Sequence, residues 1–388
     1  MERSERRILT THAGSLPRPP VLTEMFIRTS RREPVDEHAL GAAIHDATRR
    51  VVARQREVGI DVGNDGEQAR ESFFTHVQHR MSGFGGTSQR PVFRDILHFP
   101  TFLALRLPDF SRTMVNLLAA PKAVGEVRYV DRSALERECA AYRAILGEEG
   151  TPFVESFITA PSPGIIASAM TNEHYGRFEE YLSAVGAALR TEYEYIAGQG
   201  FVLQIDCPDL AMERHTSFAD RPLEDFLTFV DLTISTINTA LANVPPDRVR
   251  LHVCWGNYEA PHVFDVPLED ILPRLTAARV GALVLSMANP RHAHEHRVLA
   301  RHPLPRGMLL VAGVIDTTTN YVEHPEVVAD RIELAARAVG DPRRVIAGTD
   351  CGFETAAGLG EVAEEVVWEK LRALRAGADL ATKRLFAA

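Results

Sequence analysis

Hydrophobic positions along the 388-residue chain alternate between two spacings. Short runs rich in β-branched residues are separated by longer stretches in which apolar residues recur every three or four positions, the period of an amphipathic helix. One such stretch carries Leu223, Leu227, Val230, Ile234 and Ile237. The pattern therefore predicts strands that alternate with helices, and this alternation is typical of a parallel sheet.

The short runs give eight strand candidates, which are Ile8–His12, Ile60–Gly63, Phe153–Ile158, Phe201–Asp206, Val249–Cys254, Ala282–Ser286, Met308–Ala312 and Val345–Thr349. Eight strand–helix repeats favour an α/β fold of the (β/α)8 TIM barrel type. We predict that residues 1–388 form a single barrel domain.

Two regions interrupt the alternation. Residues from about 81 to 128 follow the second strand and are rich in Phe, Pro and Gly, so we expect an inserted lobe beside the barrel mouth. Residues 361–384 have the spacing of a charged amphipathic helix. This helix is expected either to close the barrel or to pair with another subunit, which leaves a homo-oligomer open.

Composition excludes several classes of partner. The formal net charge is −9 and no run of Lys or Arg is long enough to follow a phosphate backbone, so we expect no nucleic acid partner. No stretch approaches the ~20 apolar residues of a membrane span, and the first residues lack the apolar core of a signal peptide. Four widely spaced cysteines, Cys139, Cys207, Cys254 and Cys351, indicate a reducing cytoplasm in which thiols remain available as metal ligands.

The most informative local pattern is His252-Val253-Cys254 at the end of the fifth strand candidate. Side chains two apart on a strand point the same way, and an imidazole with a thiolate suits zinc. On its own such a pair is more often core packing, because free cysteine is usually buried. Cys351 follows the eighth strand, and in a barrel it would supply a third ligand and leave a fourth position open for catalysis.

An ordered set of motifs makes the chain resemble the cobalamin-independent methionine synthase superfamily along nearly its whole length. The resemblance is to the C-terminal catalytic barrel and to stand-alone relatives, including epoxyalkane:coenzyme M transferases. It rests on Thr11–Arg18, Asp65–Glu67, Gln204–Asp206, His252–Cys254, Gly313–Asp316 and Asp350–Gly352. The resemblance implies that His252, Cys254 and Cys351 bind Zn2+, that Glu67 and Asp206 hold an amino-acid thiol, and that Ser15 contacts the same substrate.

The chain departs from the family pattern at two places. Ser286 stands where the synthases have a glutamate zinc ligand, and Thr318 stands where they have a histidine thought to donate a proton. A second, N-terminal barrel that full-length synthases use for polyglutamyl folate has no counterpart here. The resemblance therefore implies the metal chemistry more directly than it implies methionine synthesis from folate.

The expected activity is that of a zinc-dependent methyl- or alkyltransferase. Its partners are a small-molecule thiol, which the metal converts to a thiolate, and an alkyl donor that this thiolate attacks. Asp206 and Glu67 are assigned to catalysis and to a cationic group of the substrate, although either could instead cap a helix or pair with an arginine. Asp316 is also assigned to catalysis, where it is expected to hydrogen-bond the ligand histidine; a turn-forming role is the alternative.

Three further residues are assigned to the substrate pocket: His12, Trp255 and Asn289. A structural imidazole is the alternative for His12, and packing is the alternative for Trp255. His292 and His296 are four residues apart, as in helical metal pairs, but the preceding Pro290 favours a polar loop. Two other functions stay open: a zinc lyase or hydrolase that uses the metal as a Lewis acid, and a non-catalytic corrinoid- or tetrapyrrole-binding relative.

Overall fold

The computed structural model describes residues 1–91, 93–110, 114–115, 117–148, 150 and 152–386. The strands in these residues are β1 (Leu9–Thr10), β2 (Val62–Gly63), β3 (Phe84–Gly85), β4 (Lys122–Ala123), β5 (Glu155–Pro161), β6 (Val202–Asp206), β7 (Val249–Val253), β8 (Ala282–Leu285), β9 (Leu309–Ile315) and β10 (Val345–Thr349). The α-helices are α1 (Pro20–Ser30), α2 (Glu37–Glu57), α3 (Arg94–His98), α4 (Pro100–Phe110), α5 (Ser133–Leu146), α6 (Pro163–Ala169), α7 (Phe178–Gly198), α8 (Asp209–Met212), α9 (Leu223–Ala240), α10 (Leu268–Leu275), α11 (His296–Arg301), α12 (Pro325–Val339) and α13 (Glu364–Leu385).

Eight of these strands form one parallel sheet in the order β1-β10-β9-β8-β7-β6-β5-β2. A parallel bridge between Thr11 and Val62 joins the two edge strands, and the Thr11 hydroxyl donates to the Val62 carbonyl over 2.7 Å. The sheet is therefore closed, and the predicted (β/α)8 barrel is confirmed. Each of the eight strand candidates overlaps one strand of this sheet.

Strand register decides which side chains face the barrel interior. Ala282 and Val284 of β8 belong to a small apolar cluster with residues of β1, β9 and β10, whereas Leu283 and Leu285 join the main core that includes the helices. Because side chains alternate across a strand, the first pair points inward. His252 is paired with Val284, so its side chain also points into the barrel.

The predicted inserted lobe lies between β2 and β5, where it includes the antiparallel pair β3–β4 and the helices α3 and α4. Residues 92, 111–113 and 116 of the predicted insertion lie outside the described residues. A buried ion network attaches the start of this segment to α5 and α7. Arg70 is 2.7 Å from Glu138, and Arg80 is 2.8 Å from Glu138 and 3.0 Å from Glu192.

The C-terminal helix α13 packs against its own chain. Trp368, Leu371 and Leu374 are buried, and the buried Lys370 ammonium is 2.9 Å from Glu323. The Thr382 hydroxyl accepts a hydrogen bond of 3.0 Å from the backbone N–H of Ile8, next to β1. The sequence left open whether this helix closes the barrel or pairs with another subunit. These contacts favour the first alternative, because α13 packs against the barrel of its own chain. No described helix has both the length and the apolar character needed to span a bilayer.

Candidate metal centre

Three potential metal ligands meet where β7 and β10 end. His252 lies on β7, Cys254 directly follows that strand, and Cys351 comes two residues after β10. One ligand atom from each residue lies within 4.8 Å of the other two, and the two sulfur atoms are 3.8 Å apart. All three side chains are buried. The structure thus brings together the three residues that the sequence singled out.

The donor set fits a zinc ion. Two thiolates on one tetrahedral zinc, with bonds of about 2.3 Å, lie about 3.8 Å apart, and the Cys254 and Cys351 sulfurs have this separation. The hydrogen bond from the Cys351 thiol, together with the neighbouring His252, holds the pKa of Cys254 well below its ordinary value. A thiolate is the form of cysteine that binds metal, so the site is prepared for a cation.

Asp206, the last residue of β6, orients the histidine. Its Oδ1 is 2.8 Å from His252 Nδ1 and also accepts a hydrogen bond of 2.7 Å from the Gln204 amide. Because Asp206 accepts the proton on Nδ1, Nε2 is the ring atom that a metal would bind, after displacing the proton that it carries in the imidazolium form. The sequence analysis had assigned Asp206 to substrate binding and had expected Asp316 to orient the histidine.

Asp316 holds a turn after β9. Its Oδ1 accepts hydrogen bonds from the backbone N–H groups of Thr318 and Thr319 at 2.9 and 3.0 Å and from the Thr319 hydroxyl at 2.8 Å. In the described structure the carboxylate at His252 Nδ1 is that of Asp206. The expectation that Asp316 supports the ligand histidine is therefore corrected in favour of its alternative, the turn.

The two carboxyl oxygens of Glu67 differ in their contacts. Its Oε1 accepts a hydrogen bond of 3.0 Å from the Thr159 hydroxyl, whereas Oε2 is buried and makes no hydrogen bond within the described part of the chain. Burial, reinforced by the nearby Asp206, raises the pKa of Glu67 to about 8. Gly14 has φ +128°, and a Cβ there would lie 2.5 Å from Glu67 Oε1. The turn after β1 thus depends on glycine to make room for this carboxyl group.

A cavity of about 1160 Å³ opens onto these groups. Its wall includes both predicted carboxylates, Ser15 and all three ligand residues, while aromatic side chains line other parts, among them Phe73, Phe84, Phe93, Phe102 and Tyr258. Ser15 packs tightly against the loop that carries Cys351, because a Cβ on Gly352 would lie 2.0 Å from its hydroxyl oxygen. A cavity of this size accommodates two small substrates or one large one.

His12 does not line this cavity. Its Nε2 is 2.8 Å from the Gln55 side-chain oxygen, and its Nδ1 accepts a hydrogen bond of 3.2 Å from the Gly14 N–H. Burial lowers the pKa of His12 to about 4, so the ring is neutral at physiological pH. The substrate-binding assignment of His12 is therefore corrected: both nitrogens serve the scaffold.

Trp255 and Asn289 do not line the large cavity. They line an adjoining cavity of about 20 Å³, with Ser286 and Cys351, which is room for about one water molecule. The Trp255 indole N–H donates to the Val266 carbonyl over 2.7 Å, and its ring stacks on His292 at 4.0 Å. Their assignment to the substrate pocket stays a prediction, and Cys351, which lines both cavities, is the residue that connects them to the site.

The comparisons with known proteins agree on one group of enzymes. No family model matches the chain. A methionine synthase of Sulfolobus acidocaldarius is 25% identical over 347 residues, which cover 89% of this chain and 85% of that protein. A 2-hydroxypropyl-CoM lyase of Xanthobacter autotrophicus is 23% identical over 89% of each chain.

A solved structure of a B12-independent methionine synthase from Shewanella sp. W3-18-1 has a TM-score of 0.75 and 23% identity, and covers 98% of this chain and 100% of that one. The resemblance to the cobalamin-independent methionine synthase superfamily is confirmed. The chain shares its barrel fold with this solved structure.

Ser286 is the position that departs from the superfamily pattern. It lies next to the candidate metal centre, and its side chain is neutral. Its hydroxyl donates to the Asp350 carbonyl over 2.8 Å, and His252 Nε2 is 3.4 Å from the same oxygen. Ser286 also lines the 20 Å³ cavity. The superfamily's carboxylate is thus replaced by a short neutral side chain and a water-sized space.

Sequence reasoning missed the part played by Asp350. Its carboxylate accepts hydrogen bonds from the backbone N–H groups of Met287, Ala288 and Asn289 at 2.8, 2.9 and 2.7 Å. It therefore ties the loop after β8 to the strand end that carries Cys351. The only signal was its place beside that cysteine.

In the nearby histidine-rich segment, α11 begins only at His296, so His292 and His296 do not share a helix face.

Proposed function

We propose that this chain is a zinc-dependent thiol methyl- or alkyltransferase in which His252, Cys254 and Cys351 hold the metal. The observation that supports this most directly is the convergence of these three ligand atoms within 4.8 Å on the wall of a large cavity. Three protein ligands leave one position of a tetrahedral zinc for substrate. Residues 1–388 would then act as one zinc-binding barrel domain.

When bound, zinc supplies a Lewis acid that lowers the pKa of a substrate thiol at this position. The protein groups around it favour a thiol that also carries a cation. Glu67 and Asp206 both line the cavity. Their two carboxyl groups are so close together that Asp206 contributes to the raised pKa of Glu67. An aminothiol such as homocysteine suits them, whereas a sulfonated thiol would bring an anion next to two carboxyl groups.

The residues divide into two kinds of role. Glu67 is the group we assign to the substrate amine, because its Oε2 has no hydrogen-bond partner among the residues that the structure describes. Asp206 is a positioning residue for His252, because its Oδ1 is committed to the imidazole. Ser15 shapes the wall next to Cys351. The alkyl donor would occupy the part of the cavity lined by aromatic rings. Both thiols must stay reduced for this chemistry, which agrees with a cytoplasmic setting.

A zinc lyase or hydrolase is the second candidate. The observation that supports it is the position of Ser286, which lines the 20 Å³ cavity together with Cys351. A neutral serine in place of a carboxylate leaves the metal with less negative charge around it. A more positive metal is a stronger Lewis acid. Bond cleavage in the absence of any thiol acceptor would be the mark of this second function.

Metal content and thiol alkylation test the proposal together. Freshly purified protein is expected to hold about one zinc ion per chain at this centre. Cys254→Ala or Cys351→Ala should remove it. The loss of one of three ligands weakens metal binding by far more than a change in a residue that only contacts a ligand, which itself costs about tenfold or more. Homocysteine and 2-mercaptoethanesulfonate would be offered with methyl and epoxide donors, and consumption of the free thiol would be measured.

Cys139→Ala is the matched control, because Cys139 is a buried cysteine on α5 that lies outside the ligand group. It should keep both zinc and activity. Wild-type protein that contains no zinc and gains none on addition would refute the metal assignment. Product formed equally well without thiol would replace transfer by the second candidate.

A further inference from the structure

A second group of metal-ligating side chains lies outside the proposed zinc centre. Asp95 is on α3 in the inserted lobe, His215 is in the 3-10 helix Glu213–His215, and Asp265 is in the segment between β7 and α10. One ligand atom of each lies within 4.8 Å of the other two. His215 Nδ1 is 3.4 Å from Asp95 Oδ2 and 3.2 Å from Asp265 Oδ1.

Across the described ranges of the chain, these three atoms have no well-aligned hydrogen-bond partner. Asp95 Oδ2, His215 Nδ1 and Asp265 Oδ1 are all buried and unsatisfied, and Asp95 and His215 are only 0% and 1% exposed. Buried polar atoms are nearly always paired, and an unpaired one costs free energy. Three such atoms from separate segments, all converging on one point, indicate that something else satisfies them.

The remaining atoms of the same carboxylates are firmly held. Asp95 Oδ1 accepts a hydrogen bond of 3.2 Å from the Val263 N–H. Asp265 Oδ2 is 3.0 Å from His262 Nδ1 and 2.8 Å from His292 Nε2. Metal-binding carboxylates are characteristically fixed by such outer contacts, which leave one oxygen of each free to point at the ion.

We propose that Asp95, His215 and Asp265 form a second metal site, which takes a divalent transition-metal ion. Two atoms bound to one ion at about 2.0–2.2 Å lie about 3.0–3.5 Å apart, and both measured separations fall in this range. Two carboxylates and one imidazole suit ions such as Mn2+, Zn2+ or Co2+. The donor set contains no sulfur, which separates it chemically from the cysteine-containing centre.

The competing occupant is a proton on His215. Burial lowers the pKa of His215, but the proximity of Asp265 and Asp95 outweighs burial and raises it to about 9. Without metal the ring is therefore an imidazolium between two carboxylates, and an ion would displace its proton. The geometry favours the ion, because the ring N–H is poorly aligned with both carboxylate oxygens although they lie 3.4 and 3.2 Å from Nδ1.

The position of the site suggests what the ion does. Phe93, two residues before Asp95, stacks on Tyr258 at 4.4 Å, and both rings line the large cavity. An ion bound here would join the inserted lobe to two barrel loops that are distant in sequence. It would hold the aromatic wall of the cavity in place and would take no part in the reaction itself.

Co2+ is the probe, because its d–d bands report a bound ion and a thiolate charge-transfer band reports cysteine ligation. After chelator treatment, wild-type protein should bind two Co2+ per chain, one with the thiolate band and one without. The variant Cys254→Ala/Cys351→Ala should keep the ion without that band. Asp265→Asn and His215→Gln should weaken that ion at least about tenfold and leave the thiolate band intact.

His302→Gln is the control, because this exposed histidine pairs with Glu269 in a 3.4 Å contact at the surface and should alter neither ion. As an independent measurement, Mn2+ binding to the wild-type chain would be followed by its electron paramagnetic resonance signal, and Asp265→Asn should abolish it. Only thiolate-ligated Co2+ in the wild type, with no Mn2+ bound at pH 8, would overturn the proposal and leave a protonated His215 ion pair. Neither result depends on whether the chain is a thiol alkyltransferase.

Discussion

At the scale of single residues, the two carboxyl groups at the metal centre differ because their contacts differ. Asp206 Oδ1 is fixed between His252 and Gln204, and we therefore propose that this carboxylate supports the metal. Among the described residues Glu67 is held through one oxygen only. In this proposal the same functional group supports the metal in one case and is available to substrate in the other, and motif reading could not separate the two.

The replacement Glu67→Gln tests this division. If Glu67 binds the substrate amine, KM for an aminothiol should rise about tenfold, the equivalent of roughly 1.4 kcal/mol for one lost charge interaction. In the wild type the carboxylate forms as pH rises through its pKa of about 8, so KM should fall between pH 6.5 and 8.5. The variant should lack this fall, because glutamine does not titrate.

The analogous thiol without its amino group is the control for this experiment. Its own thiol ionisation changes with pH in both proteins, but it has no amine for Glu67 to bind, so the two proteins should show the same KM profile. If homocysteine keeps its wild-type pH dependence in the variant, Glu67 does not contact the amine.

At the scale of secondary-structure elements, the segment after β2 is held by a buried charge network. Arg70 donates to Glu138 on α5 and also to the carbonyl and hydroxyl oxygens of Thr159 on β5, both at 2.9 Å. Thr159 in turn donates to Glu67. A buried arginine thus links a helix, a strand and the candidate site.

Arg70→Met should be strongly destabilising. Removal of one partner from a buried ion network typically costs about 3–5 kcal/mol, and here the Thr159 oxygens lose their donor as well. The free energy of unfolding would be measured by urea denaturation. Arg128→Met is the matched control: its side chain pairs with Glu126 at the surface and is 68% exposed, so this change should be almost neutral. Equal effects of the two variants would show that the network contributes no net stability.

The strands of the barrel were largely predictable from the chain because each lies in a short run bounded by longer stretches of helical spacing. β9 extends to Ile315, past the predicted end at Ala312, because Gly313-Val314-Ile315 continues the buried strand through a glycine. The pair β3–β4 was not predicted, since Phe84–Gly85 and Lys122–Ala123 contain no β-branched residue.

At the scale of the whole molecule, what sequence reasoning found and missed follows from how the fold brings residues together. His252, Cys254 and Cys351 could be predicted because barrel topology gathers strand ends on one face. The pairing of Asp206 with His252 depends on register between neighbouring strands, which the sequence does not show. Asp95, His215 and Asp265 come from a lobe and two loops, and no periodicity relates them.

Closure of the barrel by α13 gives the last prediction. Trp368 is 1% exposed, and the Arg54 guanidinium of α2 lies 5.2 Å from its ring centre. Trp368→Ala should lower the free energy of unfolding by about 3–5 kcal/mol, as truncation of a large core residue does. Val327→Ala on the neighbouring α12 is the control and should change the free energy of unfolding little, because Val327 is 44% exposed.

If α13 instead served subunit association, Trp368→Ala would shift the sedimentation coefficient with little change in the denaturation midpoint of dilute protein. A large loss of stability at every protein concentration would place the role of α13 within one chain, as its burial against β1 and α12 requires.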